Sequence, residues 1–244
     1  MKDFESWRDW IQFIESVCHH SRYVYPSEAG AFLEALVATI GSRQHVITAK
    51  TILWRAQLGH DTQDRDLGDF IVQDSIPHPP DRMKPLLRSA HEGRANPKGI
   101  PCLYLATDGE TAMAEARPWV GGLISVGQFE VNRALKVIDF SNEDESVLRS
   151  YNTEPNAHVR QSIIWAQISR WFSWPVTNDP STAEYVPTQI VAEKIRQQGF
   201  DGIRYKSFLG GGLNIALFDP NTATLVNCGL QKVRSVSFKF DPIK

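Results

Sequence analysis

Between Arg94 and Arg117 the chain reads RANPKGIPCLYLATDGETAMAEAR, and no other stretch restricts local structure as tightly. It opens with a basic residue in a Gly/Pro/Asn turn. The apolar run after it (Ile100, Cys102, Leu103, Tyr104, Leu105) is too short for a helix and is bounded by turn signals, which predicts a strand. Thr107 and Glu110 have the spacing of a capping box, and the Ala-rich segment from Thr111 to Ala116 predicts a short helix. Turn, strand and capped helix therefore gather Arg94, Tyr104 and Glu115 into one compact unit. Such a unit can grip an anion, stack on a ring and offer a carboxylate. The same spacing also fits a surface Arg, a half-buried Tyr and a solvated Glu, so it names candidates rather than a site.

Before this unit, Phe4, Trp7, Ile11, Ile14 and Cys18 recur at helical spacing over residues 3–20, with Trp10, Phe13 and Val17 widening the stripe. Pro26, Ser27 and Glu28 open a second helix, capped by Ser27, with Phe32, Leu33, Leu36, Val37 and Ile40 inward and Gly41 as its stop. Residues 1–45 read as a helical extension that is too small for a core of its own and docks on the rest of the chain. Residues 46–56, rich in β-branched side chains, predict one strand that ends at Trp54 and Arg55. From Leu58 to Pro80 the chain is polar and carries His60, Asp61, Asp64, Asp66 and Asp69. That spacing matches no metal-ligand pattern and reads as a solvated loop. A short basic helix is expected over 81–90.

Beyond Arg117, LISVGQFEV and ALKVIDF predict two strands broken near Asn132 and Arg133. Glu143, Asp144 and Glu145 form a Glu-x-Glu pattern used by some arginine-modifying transferases, but an acidic helix start after Ser141 and Asn142 explains them better. Residues 159–173 and Tyr185–Gln198 predict helices, ended by Trp174-Pro175 and Gly199. Three strands come next (FDGIRYKS, LNIALF, TLVNCG), the first two joined by a hairpin loop through Gly210, Gly211 and Gly212; a last strand is expected through VRSVSFKF. Strands crowd the two ends of residues 46–244 with helices between, which is α+β rather than doubly wound. No GxGxxG, GxxxxGK[ST], GxSxG or HExxH occurs, so the sequence supports neither a dinucleotide Rossmann unit nor a P-loop.

A net charge of -2 argues against nucleic acid as the main partner. The three cysteines, Cys18, Cys102 and Cys228, are scattered without CxxC spacing, which fits a reducing compartment and predicts no metal site. With an amphipathic, acidic N-terminus and no uncharged run near the roughly 20 residues a bilayer requires, the expectation is a cytoplasmic protein with no membrane contact.

LWRA (53–56), the Arg94 turn with GIPCLYLA (99–106), TAMAEARP (111–118), YVPTQIVAEKIRQQGFDGIRYKS (185–207) and LNIALF (213–218) together resemble the RES domain family, over roughly residues 50–240. That family is known as the toxin half of bacterial toxin–antitoxin modules, usually beside an Xre-type antitoxin. Its fold is related to ADP-ribosyltransferases, so the resemblance implies a mixed or antiparallel β core flanked by helices. Its members degrade NAD by phosphorolysis or hydrolysis, or transfer ADP-ribose to a protein. The resemblance implies Arg55 and Arg94 as the two basic site residues, Tyr104 as the aromatic one, Glu115 as the catalytic carboxylate and Ser207 as the family serine. Arg88 competes for the second arginine role. It further implies NAD as substrate with inorganic phosphate as co-substrate, no cofactor, and a cognate antitoxin as partner. The extension before residue 46 lies outside the minimal domain and could replace or block an antitoxin contact. The oligomeric state stays open, a dimer included.

The chemistry suits these residues. Cleaving the nicotinamide–ribose bond passes through an oxocarbenium-like transition state, and a carboxylate beside the ribose stabilises that cation. A pyrophosphate calls for planar, permanently charged donors, which favours Arg over Lys. Tyr104 offers a flat face and a hydroxyl, and Ser207 could hydrogen-bond a phosphate or orient an Arg. Two other readings remain: ADP-ribosyl transfer to a cellular protein, and a non-catalytic nucleotide-binding or interaction module worked by the N-terminal helices.

Overall fold

The computed structural model describes residues 2–86, 89–175, 182–237 and 240. Helix α1 (Asp9–Glu15) runs on into a π-helical turn (Ser16–His20), and α2 (Ser27–Thr39) into a 3-10 turn (Ile40–Arg43). Strands β1 (Gln44–Ile47) and β2 (Ile52–Leu58) lead to β3 (Asp61–Asp66), β4 (Ile71–Ile76) and β5 (Leu103–Ala106). Then come α3 (Gly109–Glu115), β6 (Leu123–Val131), β7 (Leu135–Asp139), α4 (Ala157–Ser173), α5 (Val186–Gln197), β8 (Gly202–Lys206), β9 (Leu213–Leu217) and β10 (Ala223–Lys232). Eight strands form one sheet in the order β1-β7-β8-β9-β5-β2-β6-β10, antiparallel except for β7 beside β8. The expected mixed, mostly antiparallel core flanked by helices is thus present. Among the described residues, no helix is long and apolar enough to cross a membrane.

Two connections force this sheet to curl. The chain passes from Val131 in β6 to Leu135 in β7, although five strand spacings separate those strands in the hydrogen-bonded order. In a flat sheet that gap is about 24 Å, whereas four Cα steps reach at most about 15 Å. The passage from Ile47 in β1 to Ile52 in β2 crosses the same number of strands with five steps. Curling lets side chains from both halves of the sheet meet on one face: Ile47, Leu53, Phe129, Val137 and Leu217 share an apolar cluster with Met83. Alternation along each strand sends the neighbours the other way. Ile138, Ile203 and Ala216 pack under α4 and α5, in a core that continues without a break through Phe4, Trp10, Phe13 and Phe32. The N-terminal helices therefore complete the main core rather than building one of their own. Arg160 Nε of α4 also donates to the Phe4 carbonyl at 2.9 Å.

Several local expectations need correction. Residues 46–56 are two strands, broken by a turn in which Lys50 has φ 65°. The polar stretch after Leu58 is a two-stranded hairpin, β3 with β4, not a loop. Every residue of β3 is exposed, so it shows no apolar alternation, and the turn through Gly68 at φ 90° sets its register instead. Among the described residues, no group of three or more His, Cys, Asp or Glu side chains is arranged to hold a metal ion. Residues 81–86 form turns after Pro79-Pro80 instead of a helix, and they bury Met83. Arg88 lies outside the described residues. Ser27 is the first helical residue of α2 and makes no capping bond. Residues 233–237 are irregular, because β10 has already extended through Lys232 along the whole of β6.

At the β1 edge, Arg204 Nη2 pairs with Asp139 Oδ2 at 2.8 Å and Arg204 Nη1 donates to His45 Nε2 at 2.6 Å. Arginine only donates, so this imidazole is held neutral with its proton on Nδ1. Burial first, then the Arg204 charge, lower its pKa from 6.5. The unfolded chain then binds the proton more readily than the folded one. Stability contributed by neutral His45 is present above the ordinary histidine value and lost as pH falls below it. Urea midpoints should drop between pH 7.5 and pH 5, with a shallower slope in His45→Gln; an unchanged slope would remove His45 from this account.

Candidate active site

Four adjacent strands, β8, β9, β5 and β2, carry the site, and α3 lies over one end of them. Trp54, Arg55, Arg94, Tyr104, Glu115, Tyr185, Tyr205 and Asn214 line one cavity of about 280 Å³. Ser207 stands behind Glu115. A larger groove of about 770 Å³ lies between α1 and α2 and contains none of these side chains. Convergent charge, not size, identifies the smaller cavity as the candidate site.

Helix α3 is fixed by Asp108, not by the expected Thr107. The Asp108 carboxylate accepts from Thr111 N at 2.7 Å and from Thr111 Oγ1 at 2.9 Å, and these bonds hold its pKa below 3.8. The glycine loop after β8 wraps this helix start: Gly212 N donates to Thr111 Oγ1 at 2.9 Å, and Leu213 N to Thr107 Oγ1 at 3.0 Å. A Cβ on Gly212 would lie 1.9 Å from Asp108 Oδ2, and one on Gly210 would lie 2.7 Å from Thr111 Oγ1. Gly210 and Gly212 thus allow the β8–β9 hairpin loop to approach the start of α3 closely. The packing sets Ser207 beside the last turn of α3.

There the exposed Glu115 carboxylate is locked on one oxygen. Its Oε1 accepts from Ser207 Oγ at 2.6 Å and from Asn214 Nδ2 at 2.7 Å. Ser207 Oγ in turn accepts from Gly210 N at 2.9 Å and from Leu209 N at 3.2 Å. Both its lone-pair positions are filled, so its single proton points at Glu115. Ser207 therefore orients the carboxylate, and Oε2 is left without a hydrogen-bond partner among the described residues.

Arg55 Nη1 donates to the Tyr104 carbonyl at 2.9 Å, while its Nε is sealed from solvent with no partner. Burial lowers its pKa from the ordinary arginine value. No carboxylate pairs with it among the described residues. A guanidinium with an unpaired, sealed Nε can accept an anion.

Arg94 is placed differently. Its Nη1 donates to the Trp171 carbonyl at 2.7 Å and its Nη2 to the Trp174 carbonyl, at the C-terminal end of α4. It also lies 5.9 Å from the centre of the Tyr185 ring. Much of its donor capacity holds the protein together. Tyr104 is likewise committed: its hydroxyl donates to Asn96 Oδ1 at 2.6 Å and accepts from Ala95 N at 2.9 Å. Burial pushes this phenol well above 10. Only the ring of Tyr104, not its hydroxyl, is available to a ligand.

Sequence reasoning missed Asn214, Tyr185 and Tyr205. Asn214 had a readable signal, an amide inside the apolar strand LNIALF. Gln189 was missed too; from α5 its amide donates to the carbonyls of Gly93 at 3.0 Å and Asn96 at 3.1 Å, pinning the Arg94 turn. Glu143 and Asp144 stay outside the cavity: Glu143 pairs with Arg43 Nε at 2.6 Å, and Asp144 caps a 3-10 turn.

The RES domain family model matches residues 52–241, most of the chain and all of the site. The chain belongs to the RES domain family. Among solved structures, this RES protein is similar to a chain of the crystal structure of the M. tuberculosis MbcT–MbcA toxin–antitoxin complex. The TM-score is 0.43 at 16% identity, covering 81% of this chain and 92% of that one. No curated protein matches it.

Two substitutions test the local build of this RES site. Gly212→Ala should cost about 1–3 kcal/mol by overpacking against Asp108, and Asp108→Ala about 1 kcal/mol by uncapping α3. Denaturant midpoints measure both, and a Gly212→Ala protein as stable as the parent would contradict the close approach.

Proposed function

We propose that this chain cleaves the nicotinamide–ribose bond of NAD, with inorganic phosphate or water as acceptor, and acts as the toxin half of a toxin–antitoxin pair. The observation that carries the chemistry is the pairing of opposites in one cavity: a guanidinium at Arg55 whose Nε is sealed and unpaired, and a carboxylate at Glu115 with one oxygen locked and the other without a hydrogen-bond partner among the described residues. Membership in the RES family supports the substrate and the toxin role.

On this reading Arg55 binds the pyrophosphate, and Arg94 adds positive potential from the rim. The aromatic side chains, Tyr104 among them, flank the nicotinamide riboside half. As the C1′–N bond lengthens, its electron pair leaves with nicotinamide and C1′ becomes cationic. Glu115 Oε2, fixed by the two donors on Oε1, stabilises that charge or holds a ribose hydroxyl. Attack by a phosphate oxygen at C1′ gives ADP-ribose-1-phosphate; attack by water gives ADP-ribose. The exposure of Glu115 also leaves room for a protein acceptor, which is the second reading.

The decisive assay incubates NAD with wild type and Glu115→Gln, with and without phosphate, and separates products by mass. Phosphate-dependent ADP-ribose-1-phosphate is expected from wild type, with kcat lowered about 10²–10³-fold in Glu115→Gln. Arg55→Lys, which loses the planar fork, should raise KM for NAD more than it lowers kcat. Intact NAD in every wild-type reaction would overturn the proposal. Label from NAD appearing on a cellular protein would move it to the transferase reading.

A further inference from the structure

At about 280 Å³ the cavity falls just short of the roughly 300–1,000 Å³ typical of pockets that enclose a drug-sized ligand. It has room for one nucleoside-sized half of a dinucleotide, and the other half must lie outside. Two large aromatic side chains stand outside its lining, next to residues that contact Arg94 and Glu115. Trp174 is 51% exposed and Phe208 55% exposed, with ring centroids 5.4 Å apart and planes 53° apart. Single exposed aromatics are ordinary; a pair brought together from chain segments 34 positions apart is not.

Bonding places this pair at the site. The carbonyl of Trp174 receives Arg94 Nη2, so that residue borders the rim arginine. Phe208 directly follows Ser207, whose hydroxyl orients Glu115, so its Cα lies about 3.8 Å from that of Ser207. Arg170, exposed and without a carboxylate partner among the described residues, has its Cζ 4.7 Å from the Trp174 ring centre. The edge of the site thus offers two exposed, mutually tilted aromatic rings in contact, with a cation over the ring of Trp174. That combination suits a purine base and the phosphate of its nucleotide.

We propose that Trp174 and Phe208 form a subsite that stacks the adenine base of the substrate dinucleotide, with Arg170 facing its phosphate. This rests on the reading of the cavity as the nicotinamide riboside site, but binding can test it without turnover. The probes are ADP-ribose and AMP, which carry adenine and have no nicotinamide bond to cleave.

Saturation-transfer NMR on the full chain should show the strongest transfer to adenine H2 and H8. Phe208→Ala and Trp174→Ala should each raise the Kd for ADP-ribose about tenfold, the scale of one base–aromatic stack. Trp119→Ala, which removes another exposed tryptophan far from these residues in sequence, is the control and should bind as wild type. Melting curves confirm that the variants are folded; both side chains are half-exposed, so little stability is at stake. The subsite is overturned if wild type shows no adenine contact with either probe, or if both variants bind ADP-ribose as tightly as wild type. Adenine contacts that depend on Phe208 and Trp174 in a protein that leaves NAD intact would keep the subsite and remove the proposed reaction.

Discussion

The curl of the sheet comes first, because the chain crosses from β6 to β7 and from β1 to β2 in spans too short for a flat one. That curl lets one face close on itself around Phe129 and Val137 without helices, while the other face takes α4 and α5. It leaves β8, β9, β5 and β2 adjacent in the middle of the order, and those four strands supply Tyr205, Asn214, Tyr104 and Arg55. Arg55 and Tyr104 are 49 positions apart, and Tyr104 and Asn214 are 110 apart, yet strand pairing alone brings them to one cavity. Tyr104 faces Ala216, and Asn214 lies between Ala106 and Tyr205.

Within that frame the polar side chains divide into two kinds. Arg94, Tyr104, Ser207 and Asn214 are tied by hydrogen bonds that the protein itself makes. Among the described residues, the Nε of Arg55 and one oxygen of Glu115 are not. A buried polar group without a partner costs stability, and a ligand can supply the missing contact. The fixed groups surround the two unpaired ones and hold their directions.

The sequence showed α2, α4 and α5 well, because wide apolar stripes such as that of α4 can only be buried one way, but the helix expected over 3–20 begins only at Asp9 and none forms over 81–86. It showed the strand–helix unit around Tyr104 and Glu115, since turn and cap residues act locally. It did not show the β3–β4 hairpin, where no burial pattern marks a strand exposed along its whole length. Nor could it show that Gly210 and Gly212 pack against Thr111 and Asp108, or that Arg94 reaches across to Trp171. Those contacts join segments 77 to 104 positions apart, and nothing local encodes them. Of the candidate site, the residue types were readable; the division into tied and free groups was not.

Helix α4 also works as a ruler. Near its start, Arg160 grips the Phe4 carbonyl; at its end, the carbonyls of Trp171 and Trp174 hold Arg94. Both attachments depend on rotation about the helix axis as well as distance along it. Deleting a single residue between them would turn the far end by about 100° and shorten it by about 1.5 Å, carrying both acceptors away from Arg94. The span of α4 between Arg160 and Trp171 is therefore fixed in residue count by its two attachments, and a helix one residue longer or shorter could keep only one of them.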